Sequence, residues 1–383
     1  LKFKTYEEKQ AYENKFSAWA KGKPEYENIF ADYAKNYADW TPYAKHRVYI
    51  REGILGSPLL AFAASLQSLE GAIVKAGATA ADIKKAADAA DNARKAFLES
   101  EDKPSDEKIL AAVLNSFYTD IDKSQHPIGF YENIKSNFGD LKDEATFKKY
   151  AADVFAKTMV FDDAKWTAFI GAPDATVLQA DPAFATATSF VKNYNTKYGP
   201  LYTVFVNRNN ELGKSYMKGI MEMNPAAVKK MYPDANFSMR VSFGNVKSYK
   251  PRDAVFYDYV TTSKGILEKY VAGDYEFDLP TKQIELLKKR DFGQYEDKNR
   301  KDLVVAFITT NDITGGNSGS PVMDANGNLI GLAFDGNYEA LSHKIAFDKD
   351  LNRTICVDVR YVLWCIDKLG GAKNLIDELK LVR

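Results

Sequence analysis

The spacing of hydrophobic residues changes after about residue 236 of this chain. Before that point, apolar side chains recur at helical spacing in a background rich in Ala, Lys and Glu. Over residues 239–246 they alternate with polar side chains, which is the period of a strand with one buried face. A length of 383 residues also favours more than one hydrophobic core. We therefore expect an α+β protein with a helical domain over residues 1–236 and a β domain over residues 237–383.

Capping signals mark helix starts in the first region. Thr79 and Asp82 have the spacing of a capping box and precede an Ala-rich stretch. Pro104-Ser105 predicts the start of a further helix, whose apolar residues recur every three or four positions from Ile109 to Ile121. The aromatic side chains of this region are interpreted as core residues.

The second region contains several strand signals. Residues 303–310 (LVVAFITT) and 354–359 are predicted strands. The sequence Asp-Ala-Asn-Gly at 324–327 lies between two apolar runs and predicts a hairpin, because Asn-Gly accepts positive φ at little cost. Helices are expected over residues 361–368 and 373–381.

Composition excludes several classes of function. The 52 Lys+Arg balance 52 Asp+Glu, so no basic bias indicates nucleic acid or an anionic membrane as a partner. No apolar run is long enough for membrane insertion, and no cluster of His, Cys and carboxylates has ligand spacing, so neither a cofactor nor a metal is expected.

Cys356 and Cys365 are interpreted as small buried hydrophobes rather than a disulfide. The chain starts at Leu1 without a signal peptide, so we expect a processed or excised chain.

The stretch from Thr310 to Pro321 (TNDITGGNSGSP) has a pattern suited to acyl transfer. A predicted strand leads into a glycine-rich loop that presents Ser318, and the backbone N–H groups of Ser318 and Gly316 are candidate oxyanion donors. A plain Gly/Asn/Ser turn is the alternative. The Gly-x-Ser-Gly-x-Pro form is that of chymotrypsin-like serine peptidases and favours a nucleophile.

Beyond this loop, the sequence resembles the bacterial dipeptidyl-peptidase 7 and 11 family of serine exopeptidases. The matching stretches span most of residues 200–383 and lie at 216–218, 221–223, 232–236, 251–254, 291–293, 334–337 and 358–363. The resemblance implies a helical domain followed by one β-barrel half of a chymotrypsin-like double barrel, with helices at the C-terminus. It also implies a periplasmic homodimer that removes dipeptides from oligopeptides with a free N-terminus.

The resemblance assigns roles to five residues. It implies that Ser318 is the nucleophile, that Gly316 contributes to the oxyanion hole, and that Asp335 binds the substrate α-ammonium; from the residues alone, Asp335 is a turn residue. Gly336 stands where acid-preferring members have arginine, and Phe334 would line the same pocket. An apolar P1 side chain is therefore expected.

A base for Ser318 is not evident in the sequence. His46, His126 and His343 are interpreted as solvated surface residues, and the triad His and Asp are expected in an absent N-terminal half. The chain alone is then expected to be inactive. Two alternatives stay open: a non-catalytic module for peptide binding or assembly, and His343 as an internal base. Asp312 is interpreted as a loop-capping carboxylate that could instead reach the substrate pocket.

Overall fold

The computed structural model describes residues 5–229, 231, 238–343 and 345–382. The α-helices are Thr5–Ala20 (α1), Ile29–Val48 (α2), Pro58–Ser65 (α3), Gln67–Val74 (α4), Ala80–Ser100 (α5), Lys103–Asp120 (α6), Phe130–Phe138 (α7), Glu144–Lys157 (α8), Asp163–Gly171 (α9), Ala175–Ala180 (α10), Pro182–Lys197 (α11), Gly199–Met223 (α12), Pro225–Val228 (α13), Ser263–Lys269 (α14), Thr281–Lys288 (α15), Val359–Trp364 (α16) and Lys373–Asp377 (α17). The strands are Tyr249–Arg252 (β1), Val255–Tyr257 (β2), Val260–Thr262 (β3), Val304–Thr309 (β4), Pro321–Met323 (β5), Leu329–Gly336 (β6) and Thr354–Asp358 (β7). This content confirms the α+β class.

The chain divides into two compact units. The helical unit is Ala20–Glu222, and the sheet unit combines Leu1–Trp19 with Met223–Arg383. The predicted domain boundary between residues 236 and 237, and the family-like motif at 232–236, lie outside the described residues. That boundary therefore stays a prediction.

The helical unit forms because polar caps begin its helices and apolar faces meet in a shared core. The predicted capping box is confirmed: Thr79 Oγ1 accepts the Asp82 N–H at 3.2 Å, and Asp82 Oδ2 accepts the Thr79 N–H at 3.1 Å. Large side chains buried in this core include Ile54, Leu59, Leu60, Phe117, Phe147, Trp166, Phe184 and Phe190. Each such burial contributes about 1.5–3 kcal/mol, so tertiary packing stabilises these helices more than propensity does.

The sheet unit contains an antiparallel five-stranded sheet in the order β3-β4-β7-β6-β5, and β1 pairs with β2 in a separate ribbon. Phe307 of β4 and Cys356 of β7 are paired and buried. Within the described residues these strands form open sheets and no closed barrel. The expectation of a half of a double β-barrel is therefore not confirmed, although the strands at 304–309 and 354–358 are where the sequence predicts them.

A second apolar cluster supports the sheet unit. It consists of Leu287, Phe292, Tyr295, Leu303 and Trp364. The Trp364 indole N–H donates to the Asp291 carbonyl at 2.9 Å, so the polar edge of this buried ring has a partner.

Two local predictions have opposite outcomes. The hairpin at 324–327 is confirmed: it joins β5 to β6, Gly327 has φ +80°, and Asp324 Oδ1 accepts the N–H groups of Asn326 and Asn328. The strand predicted over residues 239–246 is wrong. Only Val246 bridges to Thr309, and the alternating apolar residues before it are exposed.

Among the described helices, none is by itself long and apolar enough to cross a membrane.

Candidate active site

The Ser318 loop connects β4 to β5 and has two glycines in the left-handed region. Gly316 has φ +95° and Gly319 has φ +80°, values that residues with a side chain rarely adopt. Asn317 holds the loop closed, because its Oδ1 accepts the Thr314 N–H at 3.1 Å and its own N–H donates to the Thr314 carbonyl at 3.2 Å. The glycines and Asn317 thus fix a tight backbone path on either side of the serine.

Backbone bonds attach the serine loop to the last part of β6. The Gly319 N–H donates to the Ala333 carbonyl at 2.7 Å, and the Ala333 N–H donates to the Ser320 carbonyl at 2.9 Å. The Ser318 side chain is exposed, and its Oγ donates to the Phe334 carbonyl at 3.2 Å. This hydroxyl is therefore positioned by the strand that also contains Asp335.

A β-bulge at Phe334 separates Ala333, which is bonded to the serine loop, from Asp335. Ala333 pairs with Cys356 and Asp335 pairs with Ile355, so Phe334 is an extra residue relative to β7. The Phe334 ring is 65% exposed. Asp335 is also exposed, and its Oδ1 accepts the Gly336 N–H at 2.7 Å. The structure thus brings the predicted residues Ser318, Phe334, Asp335 and Gly336 to the same end of the sheet.

The two predicted oxyanion donors are available. In the described part of the chain, no acceptor is bonded to the N–H of Gly316 or of Ser318. A Cβ built on Gly316 would meet nothing within 4 Å, so the space beside this glycine is open. Two free N–H groups in a loop that presents an exposed hydroxyl supply one requirement of acyl transfer, the donors for an oxyanion.

A buried asparagine that the sequence analysis did not select supports the Asp335 turn. Asn337 Oδ1 accepts the N–H groups of Arg353 at 2.9 Å and Ala340 at 3.2 Å. Its Nδ2 donates to Glu339 Oε2 at 2.8 Å and to the Leu351 carbonyl at 2.9 Å. All the hydrogen-bonding capacity of one side chain therefore holds the chain that follows Gly336.

Arg353 is the second supporting residue that the sequence did not reveal. Its guanidinium is buried and donates to the backbone carbonyls of Lys247, Ser248, Lys349 and Asn352. Burial lowers the pKa of this guanidinium from its usual value. Two of these partners, Lys247 and Ser248, lie about 105 positions away in the sequence, so the role of Arg353 is evident only in the folded chain.

The segment before β1 packs closely against the start of the serine loop. Ser242 Oγ donates to the Asp312 carbonyl at 2.8 Å, and the Asn245 N–H donates to Thr310 Oγ1 at 3.0 Å. A Cβ on Gly244 would lie 2.7 Å from the Asn311 nitrogen. Gly244 is therefore required for this close approach of two backbones.

The three histidines differ from their predicted surface positions. His46 is fully buried with Nδ1 3.2 Å from Gln125 Oε1, and burial lowers its pKa to about 4. His126 is half-buried, and burial lowers its pKa as well. His343 is half-buried, and its enclosed Nε2 atom has no hydrogen-bond partner among the described residues. It lines a crevice of about 10 Å³ that has room for one water molecule.

No imidazole is hydrogen-bonded to the Ser318 hydroxyl in the described part of the chain. The same residues contain no cluster of three or more His, Cys, Asp or Glu arranged to hold a metal ion. Both cysteines are free thiols; burial raises the pKa of Cys356 to about 11 and also raises that of Cys365. Cys356 therefore contributes to the core as an inert side chain.

Comparison with known proteins identifies the family. The sequence profile described as Peptidase S46 matches residues 2–381. The chain belongs to the peptidase S46 family. The S46 chain is 37% identical over 384 residues to the Asp/Glu-specific dipeptidyl-peptidase of Flavobacterium psychrophilum, an alignment that covers 98% of this chain and 51% of the relative. It is 36% identical over 397 residues to dipeptidyl-peptidase 7 of Capnocytophaga gingivalis, covering 99% and 52%.

A solved structure shows the same fold. The crystal structure of Porphyromonas endodontalis DPP11 in complex with the dipeptide Arg-Glu matches with a TM-score of 0.83 at 26% identity, covering 98% of the S46 chain and 52% of that protein. The S46 chain thus spans about half the length of the relatives that it matches.

These findings correct the function expected from the sequence. That expectation described the chain as only part of a serine dipeptidyl-peptidase, with the triad His and Asp in an absent half and with an apolar P1 preference. The family match instead runs from residue 2 to residue 381 and includes the helical region, where the sequence showed no specific motif. The family relationship is therefore not confined to the stretch that contains the recognised motifs, and it applies to both units.

The predicted P1 preference is not supported either. Relatives of nearly equal identity, 37% and 36%, include an Asp/Glu-specific enzyme and a dipeptidyl-peptidase 7, so overall identity does not favour one preference over the other.

Proposed function

We propose that this protein is a serine-type dipeptidyl-peptidase that releases dipeptides from oligopeptides with a free N-terminus. The main supporting observation is the exposed Ser318 hydroxyl, which shares its loop with the unpaired N–H groups of Gly316 and Ser318 and donates to the carbonyl of Phe334, the residue next to Asp335. The relatives named as dipeptidyl-peptidases support the reaction class. We extend the proposal to a periplasmic homodimer on the family resemblance.

In the proposed reaction, Ser318 Oγ attacks the carbonyl of the second residue of the peptide. The bond from Ser318 to the Phe334 carbonyl is long for an O–H donor, so the hydroxyl can turn towards a base without losing a strong interaction. The N–H groups of Gly316 and Ser318 would stabilise the oxyanion while the scissile C–N bond breaks and the serine proton passes through the base to the leaving amine, which departs with the rest of the peptide. Water would then hydrolyse the acyl-enzyme ester and release the dipeptide.

Asp335 would set the length of the product. A carboxylate that pairs with the α-ammonium places the peptide at a fixed distance from the nucleophile, so that cleavage falls after the second residue. An exposed, uncapped carboxylate at the end of β6 suits this role, because its second oxygen has no hydrogen-bond partner in the described residues.

The nucleophile is tested by Ser318→Ala, with Ser320→Ala as the matched control. Ser320 lies in the same loop, and its backbone bonds to Asn317 and Ala333 do not require the hydroxyl. We expect mass spectrometry to detect dipeptide release by the wild type and by the control, and none by Ser318→Ala. Undiminished release by folded Ser318→Ala, or no release by the folded wild-type protein, would contradict the proposal.

The amine site is tested separately with free and N-acetylated versions of one peptide. We expect the acetylated peptide to resist cleavage, and Asp335→Asn to raise KM about 10- to 100-fold, as the loss of a charge-assisted hydrogen bond of about 1.5–3 kcal/mol implies. The exposed Asp350→Asn is the control for a lost negative charge in the same unit. Equal cleavage of both peptides would refute the role of Asp335.

A further inference from the structure

Two carboxyl groups meet at the junction of α5 and α6 in the helical unit. Glu101 directly follows α5, and Asp106 lies in the first turn of α6. Asp106 is only 2% exposed. Both carboxyl oxygens of Glu101 and Oδ1 of Asp106 are buried, and none of the three has a hydrogen-bond donor in the described part of the chain. Buried acceptors without donors are rare, and this junction has three.

The remaining oxygen of Asp106 links this junction to α3. Asp106 Oδ2 accepts the Leu59 N–H at 2.7 Å, in a fully buried bond. The neighbouring Ser57 is also fully buried, and its Oγ caps α3 through the Leu60 N–H at 3.3 Å. The position of Asp106 therefore determines how the start of α6 packs against the start of α3.

The charged groups nearby do not neutralise the pair. Asp102 lies between the two helices and adds a further negative charge, while Lys103 places its Nζ 3.8 Å from the centroid of the Phe161 ring. Two carboxylates in contact, with no cation bonded to them, cannot both stay ionised in a buried site. One proton between them turns an acceptor into a donor, so that one O–H···O bond pairs two of the three oxygens. Consistently, burial and the Asp106 carboxylate raise the pKa of Glu101 to about 7, and burial raises the pKa of Asp106.

We propose that Glu101 and Asp106 share one proton and form a pH-sensitive latch that holds α6 against α3. In the closed state the pair keeps its proton and α6 packs against α3. In the open state the pair can release this proton, so the free energy that favours the closed state decreases as the pH rises. The latch lies in the helical unit, and it does not depend on the proposed peptidase activity.

The sign and range follow from linkage. An exposed glutamate in the open state titrates near its ordinary pKa of 4.5, and in the closed state near 7. Opening should therefore become about tenfold more favourable for each pH unit between about 4.5 and about 7, and stay constant above that range. The total change is on the order of a hundredfold.

Hydrogen exchange of the full chain tests the latch locally. We expect peptides covering residues 57–62 and 100–108 to lose protection between about pH 5 and about pH 7.5, after correction for the intrinsic exchange rate with peptides from α11. Glu101→Gln supplies a permanent N–H donor to Asp106, so its protection should not change with pH. Glu99→Gln, an exposed position on the same helix, is the matched control and should behave as the wild type.

Two results would overturn the proposal. One is the same pH dependence in Glu101→Gln as in the wild type, and the other is constant protection in the wild type over this range. Infrared difference spectra provide a test that does not require the variant to fold. The wild type should show the C=O stretch of a carboxylic acid that disappears as the pH is raised to about 8, and its absence at about pH 5 would equally refute a shared proton.

Discussion

Replacing Asn337 by aspartate would convert the support of the Asp335 turn into a pair of carboxylates. The new side chain has the same shape, and its Oδ1 can still accept the N–H groups of Arg353 and Ala340. Its second oxygen would replace the amide nitrogen that now lies 2.8 Å from Glu339 Oε2. Glu339 is only 7% exposed and also accepts the hydroxyl of Tyr249, whose pKa is raised to about 12, chiefly by burial.

The expected cost has two parts. The lost hydrogen bond to a charged group is worth about 1.5–3 kcal/mol. The two acids can avoid repulsion by keeping one proton, which costs about 1.4 kcal/mol for each unit that the pH exceeds the pKa of that proton in the unfolded chain. For a folded pKa raised by about two units, the proton-linked loss is about 3 kcal/mol at neutral pH and above. It decreases as the pH falls through the raised pKa towards the unfolded value near 4.

Hydrogen exchange of residues 329–358 in the full chain measures this effect in the sheet unit. Asn337→Asp should lose about 4–6 kcal/mol of protection near pH 8 and recover about 1.4 kcal/mol near pH 5, where about half of the proton-linked loss remains. Asn337→Ala is the matched control, because it removes the same amide without adding a charge, so its loss should be independent of pH. Equal losses for Asn337→Asp at both pH values would refute the reasoning.

Three further outcomes are expected. Arg360 donates to both oxygens of the buried Asp358 at 2.9 and 2.8 Å and to Asp297 at 2.7 Å; Arg360→Ala should therefore cost the sheet unit about 2–4 kcal/mol in urea unfolding, and a change below about 0.5 kcal/mol would contradict this. The lowered pKa of His46 means that stability present above pH 6.5 is lost towards pH 4, by about 3 kcal/mol. The measurement compares the exchange protection of the wild type with that of His46→Phe at each pH, because Glu101 makes stability change with pH in the opposite direction over much of the same range. Parallel pH profiles of the two proteins would disprove this prediction. Gly316→Ala should lower stability by about 1–2 kcal/mol and peptidase activity at least tenfold, because its backbone has a positive φ. The neighbouring Gly315→Ala, with equally open space but no positive φ, should resemble the wild type. Equal effects of the two substitutions would refute the argument from φ.

Local chemistry explains which parts of the fold the sequence predicts. The capping box at Thr79 and the Asn-Gly hairpin at 324–327 depend on atoms a few residues apart, and both are confirmed. The alternation over residues 239–246 is equally local but misleading. Its contacts with the end of β4 and the start of the serine loop contain a single β-bridge, Val246 to Thr309, so no ladder forms and the apolar side chains stay exposed.

In the candidate site, too, the parts formed by neighbouring residues are predicted and the parts formed by distant residues are not. Ser318 and its glycines are predicted because a strand, a glycine loop and a serine are adjacent in sequence. The supports of that loop are distant in sequence: Arg353 bonds to carbonyls at Lys247 and Ser248, and Asn337 bonds to Leu351 and Arg353. His46 is mispredicted for a similar reason, because it is buried among Phe117 of α6, Tyr194 of α11 and Tyr198, which directly follows α11.

The bulge at Phe334 determines where this sheet can tolerate changes in length. Before the bulge β6 has one register with β7, and after it another, shifted by one residue. Deleting Phe334 would merge the two registers into one regular ladder, in which Asp335 still pairs with Ile355, and would remove the carbonyl that accepts the Ser318 hydroxyl. The hairpin tip at 325–327 lies at the other end of β6, where added residues would leave both registers unchanged. An epitope tag or a reporter peptide would therefore be best inserted there.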